Sequence, residues 1–379
     1  MKNKFLKIFL TIFAFALTTF SANAFSFRNM TLDFIDITDT HISQRADTSY
    51  KALSSSVALL EDAVSQINQI KGLDFVLFTG DLVDEGSYTN YDLFFNAISR
   101  LKYPHLCTFG NHDFYGSMTE HEVLTTVKGY NKNYTFDKPY WAISPKTDYR
   151  IIGLDSNSDL KGVNTSNGKL SDEQLAFLDK ELEENQDKIV VIAMHHASVE
   201  PFVSEEHSLL NAKEFNEILI KYKNPIVVLS GHYHTSKIRR IGNIIYVSTS
   251  ALVTYPMAFR HIKIVNFKDR VEYKFELLTT GLKEVREQNR QNLISYSTLE
   301  GFESDRNLEF TYYKKHPKSV LYKRKRIEEI EKTAKSPKRE IKKFEKQEQE
   351  KVQKEEKEKS KPKAFKKSKK KEAKLNETE

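Results

Sequence analysis

Five short polar blocks, each closing an apolar run, limit what this chain can fold into. They are Asp39-Thr40-His41, Gly80-Asp81-Leu82-Val83-Asp84, Gly110-Asn111-His112-Asp113, His195-His196 and Gly231-His232-Tyr233-His234. The runs leading into them, residues 32–37, 74–79, 105–109, 189–194 and 225–230, read as buried strands. In open α/β sheets ligand-binding groups converge at strand ends. The chain therefore delivers carboxylates, one amide and several imidazoles to the ends of five strands, and such a set asks for metal. One Asp-x-His pair would mean little, since such pairs occur throughout loops. Five blocks in order, each at a strand end, are specific.

Between the blocks the pattern alternates. Val57, Leu60, Ala63, Val64 and Ile67 place one apolar stripe on a helix over residues 54–70, and a second amphipathic helix spans 91–101. Strand, helix, strand, helix, strand argues for parallel pairing. Residues 113–135 carry no assignable pattern. Residues 140–143 and 149–154 read as a hairpin, and Ser171 with Glu173 and Gln174 opens a further helix. A helix is expected over 206–223. The strands expected at 244–249, 261–267 and 271–277 lack intervening helices, which makes the second half partly antiparallel. Residues 286–313 are mixed and unassigned, and no internal repeat is present.

The two ends differ from the body. Residues 1–24 carry Lys2, Lys4 and Lys7, an apolar stretch at 8–17 and Ala22-Asn23-Ala24, the layout of a secretory signal peptide. An uncleaved membrane anchor is the alternative. Cys107 is the only cysteine, so no intramolecular disulfide forms, and none lies where a lipid would attach. An exported, periplasmic or secreted location is expected. Residues 314–379 hold 26 Lys+Arg against 13 Asp+Glu, a net +13, while the whole chain is +7. The basic character thus belongs to a tail expected to be disordered or loosely helical, and no specific nucleic-acid recognition is expected from the acidic body. The organisation read from the chain is a signal peptide (1–24), a catalytic domain (25–285), an unassigned extension (286–313) and the tail.

The ordered blocks resemble the signature of the calcineurin-like metallophosphoesterase family: Asp-x-His, Gly-Asp-x-x, Gly-Asn-His-Asp/Glu, a single or paired His, then Gly-His-x-His. The resemblance runs from about residue 32 to residue 234. It implies an α/β fold, a four-layer αββα sandwich of two mixed β-sheets flanked by helices, with the strands after His234 in the second sheet. It also implies two divalent metal ions. By motif the first takes Asp39, His41, Asp81 and His234, and the second takes Asp81, Asn111, His195 and His232, with Asp81 as the bridge. Imidazole, carboxylate and amide oxygen suit Mn, Fe or Zn, and no thiolate is offered. Two such ions over two carboxylates and one hydroxide leave net positive charge, which attracts an anionic ester.

Further roles follow from the same resemblance. A hydroxide bridging the two ions attacks phosphorus in line, and His112 stabilises charge and protonates the leaving oxygen. Asp84 matches the carboxylate that orients this His in the family's protein phosphatases; a loop-capping role is the alternative. His196 is a substrate contact or supports a ligand from behind. Tyr233 packs, and Asp113 caps or orients its loop. Glu85 stands where protein phosphatases carry Arg. Asp84 stands where purple acid phosphatases carry a Tyr ligand, and the chain after 284 is too short and polar for the second domain of periplasmic nucleotidases. The branch left resembles single-domain phosphodiesterases acting on cyclic nucleotides or glycerophosphodiesters. A metal-dependent phosphodiesterase with a small phosphate-ester substrate is therefore expected. A phosphomonoesterase, or an envelope-binding protein using the metallo-domain as scaffold, is the alternative. The tail is expected to bind an anionic envelope surface.

Overall fold

The computed structural model describes residues 30–157 and 165–314. The chain begins with β1 (Thr31–Ile37), β2 (Phe75–Thr79) and β3 (His105–Thr108), which pair in parallel. Helices α1 (Ser56–Ile67) and α2 (Tyr88–Ala97) make the crossovers. On the other side of β1 lie β10 (Ala258–Asn266), β11 (Arg270–Thr279) and β12 (Leu308–Tyr313), all antiparallel, completing a six-stranded sheet. The second sheet also has six strands. Its order is β4 (Trp141–Ile143), β5 (Tyr149–Gly153), β6 (Ile189–Ala193), β7 (Ile226–Ser230), β9 (Ile244–Ser248) and β8 (Lys237–Ile241).

Burial on both faces explains the unbroken apolar runs, which are typical of parallel strands covered on each side. Along β6 and β7, Val191, Ala193, Val227 and Leu229 join a core shared with Phe34, Phe259 and Ile262 of the first sheet. The alternate residues Val190, Ile192 and Val228 pack on Leu178 and Leu182 of α4 (Asp172–Glu184) and on Phe215 and Leu219 of α5 (Ala212–Leu219). Leu59, Leu60, Ala63 and Val64 of α1 close the opposite side of the shared core. The result is two mixed sheets flanked by helices.

Several sequence expectations are corrected. The strands after His234 divide: β8 and β9 join the second sheet, but β10, β11 and β12 return to the first. The helix expected over 206–223 is only α5. The Leu210 N–H donates to Gly168 O (2.8 Å) and the Ser208 N–H to Asn167 Oδ1 (2.9 Å), so these donors are spent on strand-like pairing instead of a helical turn. Residues 113–135 contain α3 (Glu120–Tyr130), opened by a capping box between Thr119 and Glu122. The extension at 286–313 is folded: α6 (Lys283–Asn292), α7 (Tyr296–Glu300) and α8 (Glu303–Arg306) lead into β12, so the folded unit continues past residue 285. No described helix is long and apolar enough to cross a membrane. The expected signal peptide and the tail beyond Lys314 lie outside the described residues.

Candidate metal centre

Three of the five blocks leave their strands through left-handed backbone turns. Asp39, His41, Asp81, His232 and His234 all sit at positive φ, between 38° and 66°. Non-glycine residues rarely adopt this region, and such conformations cost about 1–3 kcal/mol each and gather at functional sites. The turns hold one another. The Asp39 N–H donates to Gly80 O (3.1 Å) and the His41 N–H to Asp81 O (3.0 Å). The His232 N–H donates to Asp39 Oδ2 (3.0 Å), joining the first block to the last. Glycines allow the close approach: a Cβ on Gly231 would meet Thr38 Oγ1 at 1.9 Å, and one on Gly110 would meet Asp81 Oδ1 at 2.1 Å.

The donors fall into two adjoining, fully buried groups, Asp39–His41–His234 and Asp81–His195–His232, and a third grouping, His41–Asp81–His112, links them with His112 only partly buried. In the first, His41 Nε2 and His234 Nε2 face each other at 3.3 Å, and His234 Nε2 lies 3.2 Å from Asp39 Oδ1. In the second, His195 Nε2 lies 3.1 Å from Asp81 Oδ2 and 3.2 Å from His232 Nδ1. Asp81 Oδ2 is also 3.5 Å from His41 Nε2, so this oxygen stands between the groups. Asn111 Oδ1 and Asp39 Oδ1 are buried without hydrogen-bond partners. A buried acceptor left unsatisfied costs about 1–3 kcal/mol, and such atoms in a native fold call for an ion or water.

Outer contacts fix which ring nitrogen faces inward. His195 Nδ1 donates to Thr79 O (3.1 Å), and His234 Nδ1 meets Thr254 Oγ1 (2.9 Å). His41 Nδ1 lies 3.3 Å from Asp84 Oδ1. Each arrangement leaves Nε2 as an inward acceptor, the orientation metal-binding imidazoles take. Burial alone would raise the carboxyls of Asp39 and Asp81. Instead His234 and His195 beside Asp39, and His195 and His112 beside Asp81, hold both well below the usual carboxylate range. They are anions ready for a cation. Convergent imidazoles, charged carboxylates and an unpartnered amide oxygen fit two divalent ions.

The remaining candidates take distinct places. His112 is 23% exposed and reaches the cleft, while its Nδ1 donates to the backbone O of Asp84 at 2.7 Å. The Asp84 carboxylate instead faces His41 and Lys51, so Asp84 meets His112 most closely through its carbonyl. Asp113 joins two of the loops: its Oδ1 accepts from the Leu82 N–H (3.0 Å) and Val83 N–H (3.2 Å), and its Oδ2 from the Gly110 N–H (2.8 Å). His196 is fully buried, with Nδ1 2.7 Å from Ser156 Oγ and Nε2 3.2 Å from Ser166 O. Its ring packs on His232 at 4.3 Å, and burial with neighbouring His195 pushes it down to about 3. It stands behind His232 and does not line the cleft. Glu85 is half-exposed, 3.8 Å from Arg45, and does not line the cleft.

Sequence reading missed Lys51. It is buried, and its Nζ lies 3.4 Å from Asp84 Oδ1, 3.3 Å from His112 Nε2 and 3.3 Å from His41 Nδ1. No motif marks it; it lies in the irregular segment before α1. The extension was missed as a wall of the site. The cleft beside the donors, about 390 Å³, is bounded by Tyr50, Phe202, His207, Tyr233 and Leu299 as well as the blocks. The Asn289 side chain donates to Tyr50 O (3.0 Å) and accepts from the Tyr255 N–H (2.7 Å), and Leu299 O accepts from the Ser236 N–H (2.9 Å). Residues after 283 thus hold both Tyr50 and the segment following His234.

Two face-to-face mixed sheets with these donors at their strand ends define a metallohydrolase of the two-sheet α/β class. The model of calcineurin-like phosphoesterases matches residues 34–236. This chain belongs to that family. It is a metallophosphoesterase, a hydrolase of phosphate esters. It is 28% identical over 230 residues to a probable glycerophosphodiester phosphodiesterase of Arcobacter nitrofigilis, covering 59% of this chain and 79% of that one. It is also 28% identical over 205 residues to a 3′,5′-cyclic adenosine monophosphate phosphodiesterase of Escherichia coli, covering 53% and 68%. A dimetal phosphatase from Danio rerio shares the fold, with a TM-score of 0.53 at 17% identity over 66% of this chain and 99% of that chain.

Proposed function

We propose that this metallophosphoesterase cleaves phosphodiesters. The observation that carries the reading is the charge of the cleft. Among the described residues lining it, Lys51 is the only lysine or arginine, and Tyr50, Phe202, Val203 and Leu299 supply apolar walls. A diester brings one negative charge and two organic groups, which suits few cations and apolar walls. A monoester brings up to two charges on a single organic group. The relatives named phosphodiesterases support the same reading.

In this proposal Asp39, His41, Asp81 and His234 hold one ion, and Asp81, Asn111, His195 and His232 hold the other. When bound, two divalent ions supply Lewis acidity and an activated water for attack at phosphorus. The chain's own residues do the rest. Asp84 and Thr254 hold the His41 and His234 rings with Nε2 inward. Asp113 fixes the spacing between the Asp81 and Asn111 loops. The Asp84 carbonyl fixes His112 so that Nε2 faces the cleft, in reach of a leaving oxygen. The test is hydrolysis by Mn²⁺-loaded protein. A bis-nitrophenyl phosphate should be cleaved faster than nitrophenyl phosphate, and a chelator should stop both. A clear preference for the monoester would overturn the diester reading, and activity on neither would leave only a scaffold role.

Export through residues 1–24 and tethering by the basic tail belong to the same proposal. Surface electrostatics screened by salt would carry the tether. Removing residues 315–379 should leave turnover of a small diester unchanged and abolish binding to anionic vesicles. Binding that survives the truncation would rule the tether out.

A further inference from the structure

We propose that Lys51 is a further catalytic residue, whose ammonium binds a phosphoryl oxygen of the substrate. The inference rests on the phosphate-ester reading above and gives a role to the only lysine or arginine among the described residues lining that site.

A lysine ammonium has three N–H donors and no acceptor. At most two of them have partners in the protein. With Nδ1 committed to the Asp84 carbonyl, His112 Nε2 lies 3.3 Å from Nζ and accepts from it only while it carries no proton of its own; as the leaving group's acid it carries one, and the ammonium then has one protein partner fewer. Asp84 Oδ1 accepts the second donor at 3.4 Å. His41 Nδ1 is also near, at 3.3 Å, but it must carry its own proton when Nε2 serves as a donor to an ion. It then offers the ammonium no acceptor. The third N–H therefore has no nitrogen or oxygen acceptor at hand, only the face of Tyr50 with its ring centre 5.7 Å from Nζ, and Lys51 lines the cleft. The two partnered contacts are themselves long, against roughly 2.7–2.9 Å for ordinary charge-assisted bonds. A buried ammonium held this loosely is not saturated by the protein, and buried lysines are rarely left so.

The position is built, not incidental. The Lys51 N–H donates to Thr48 Oγ1 (2.9 Å), and Lys51 O accepts from the Thr48 N–H (3.0 Å). The next N–H, of Ala52, donates to Val253 O (2.8 Å). The backbone is pinned on both sides, so the side chain is aimed before substrate arrives. A phosphoryl oxygen beside His112 would receive the third donor, and Lys51 would neutralise charge that builds on that oxygen as the bond to the leaving group breaks.

The test uses full-length, Mn²⁺-loaded protein and inorganic phosphate, with affinity read by titration calorimetry and ions counted by mass spectrometry. Lys51→Met keeps the stem and removes the charge; Lys51→Gln serves if the Met variant does not fold. Either should hold as many ions as wild type and bind phosphate about 10- to 100-fold more weakly, the range for losing a hydrogen bond to a charged group. Lys51→Arg should recover part of the affinity. Hydrolysis should fall more for the dianionic monoester than for the monoanionic diester, a bias that a purely structural lysine would not produce. Unchanged phosphate affinity with ions intact overturns the proposal. Loss of ions from the Lys51 variants also overturns it, because Lys51 would then act only by holding Asp84 and His41. If wild type itself neither binds phosphate nor cleaves either ester, the fault lies with the phosphate-ester reading.

Discussion

Replacing Gly110 by alanine probes the donor cluster without touching a donor. An ideal Cβ there would lie 2.1 Å from Asp81 Oδ1, 2.6 Å from the Asp81 backbone N and 2.8 Å from its Cγ. Carbon–oxygen contacts settle near 3.3–3.6 Å, so the carboxylate must retreat by roughly 1.2 Å. Rotating the side chain does not help, because the backbone nitrogen is in the way as well. The whole turn at Asp81 must move, and with it the oxygen between the two donor groups. A misplacement of about 1 Å costs on the order of 10²-fold in rate. Overpacking costs about 1–3 kcal/mol, which lowers Tm by roughly 2–12 °C in a domain of this size. Gly110→Ala should therefore lose at least about 100-fold in turnover of bis-nitrophenyl phosphate and bind fewer ions than wild type, while remaining folded by circular dichroism. Gly129→Ala is the control. Nothing lies within 4 Å of its Cβ, and it sits inside α3, so activity should hold and Tm should stay or rise. A Gly110→Ala protein with its full ions and turnover within about threefold of wild type, far short of the loss expected from such a shift, would refute the steric reasoning.

Three other outcomes are expected. His112→Ala should lower turnover about 10²–10⁴-fold on an alkyl diester but far less on a nitrophenyl diester, with both ions retained; ion loss in this variant would make His112 a ligand. Asn289→Ala removes the link between Tyr50 and Tyr255, so KM should rise a few-fold with ion content unchanged, and an unaltered KM would deny the extension any part in the cleft. Burial holds Asp36 up at about 6 against 3.8 ordinarily, so across that window the folded state keeps a proton the unfolded state has released. Wild-type stability should fall as pH rises through the window, by roughly 3 kcal/mol in all, and Asp36→Asn should flatten that slope in denaturant titrations at pH 4 and pH 7; parallel curves for the two proteins would contradict it.

The donor blocks were legible because their chemistry is carried by few residue types and their places are set by strands apolar on both faces. Five continuous runs gave five strand ends without any knowledge of pairing. What escaped was set by distant partners. Lys51 has no local signature, and its role exists only because Asp84 and His112 reach it from other loops. The edge strand β8 is masked by Lys237, Arg239 and Arg240, and β12 by a surrounding polar stretch; both follow from pairing with β9 and β11. The overlong helix at 206–223 failed for the same reason, since its first donors turn to the strand-like segment near Gly168. Asp36 and Arg260 are charged residues inside otherwise apolar strands. Only the fold shows why they are tolerated: Asp36 accepts from the hydroxyls of Thr79 and Thr249, and Arg260 donates to the carbonyls of Asp305 and Arg306.

The place of β1 between β2 and β10 has a consequence in time. Asp33 on β1 and its hydrogen-bond partner His261 on β10 are 228 positions apart. At ribosomal speeds of about 5–20 residues per second, the first strand waits roughly 11–46 s for its second neighbour. Within that interval Asp39, His41, Asp81 and Asn111 are made early, and the imidazoles of His195, His232 and His234 arrive well after them. A nascent chain thus carries the early polar blocks beside an open sheet edge, a state prone to wrong pairing. The last strands to be made are the ones that end it.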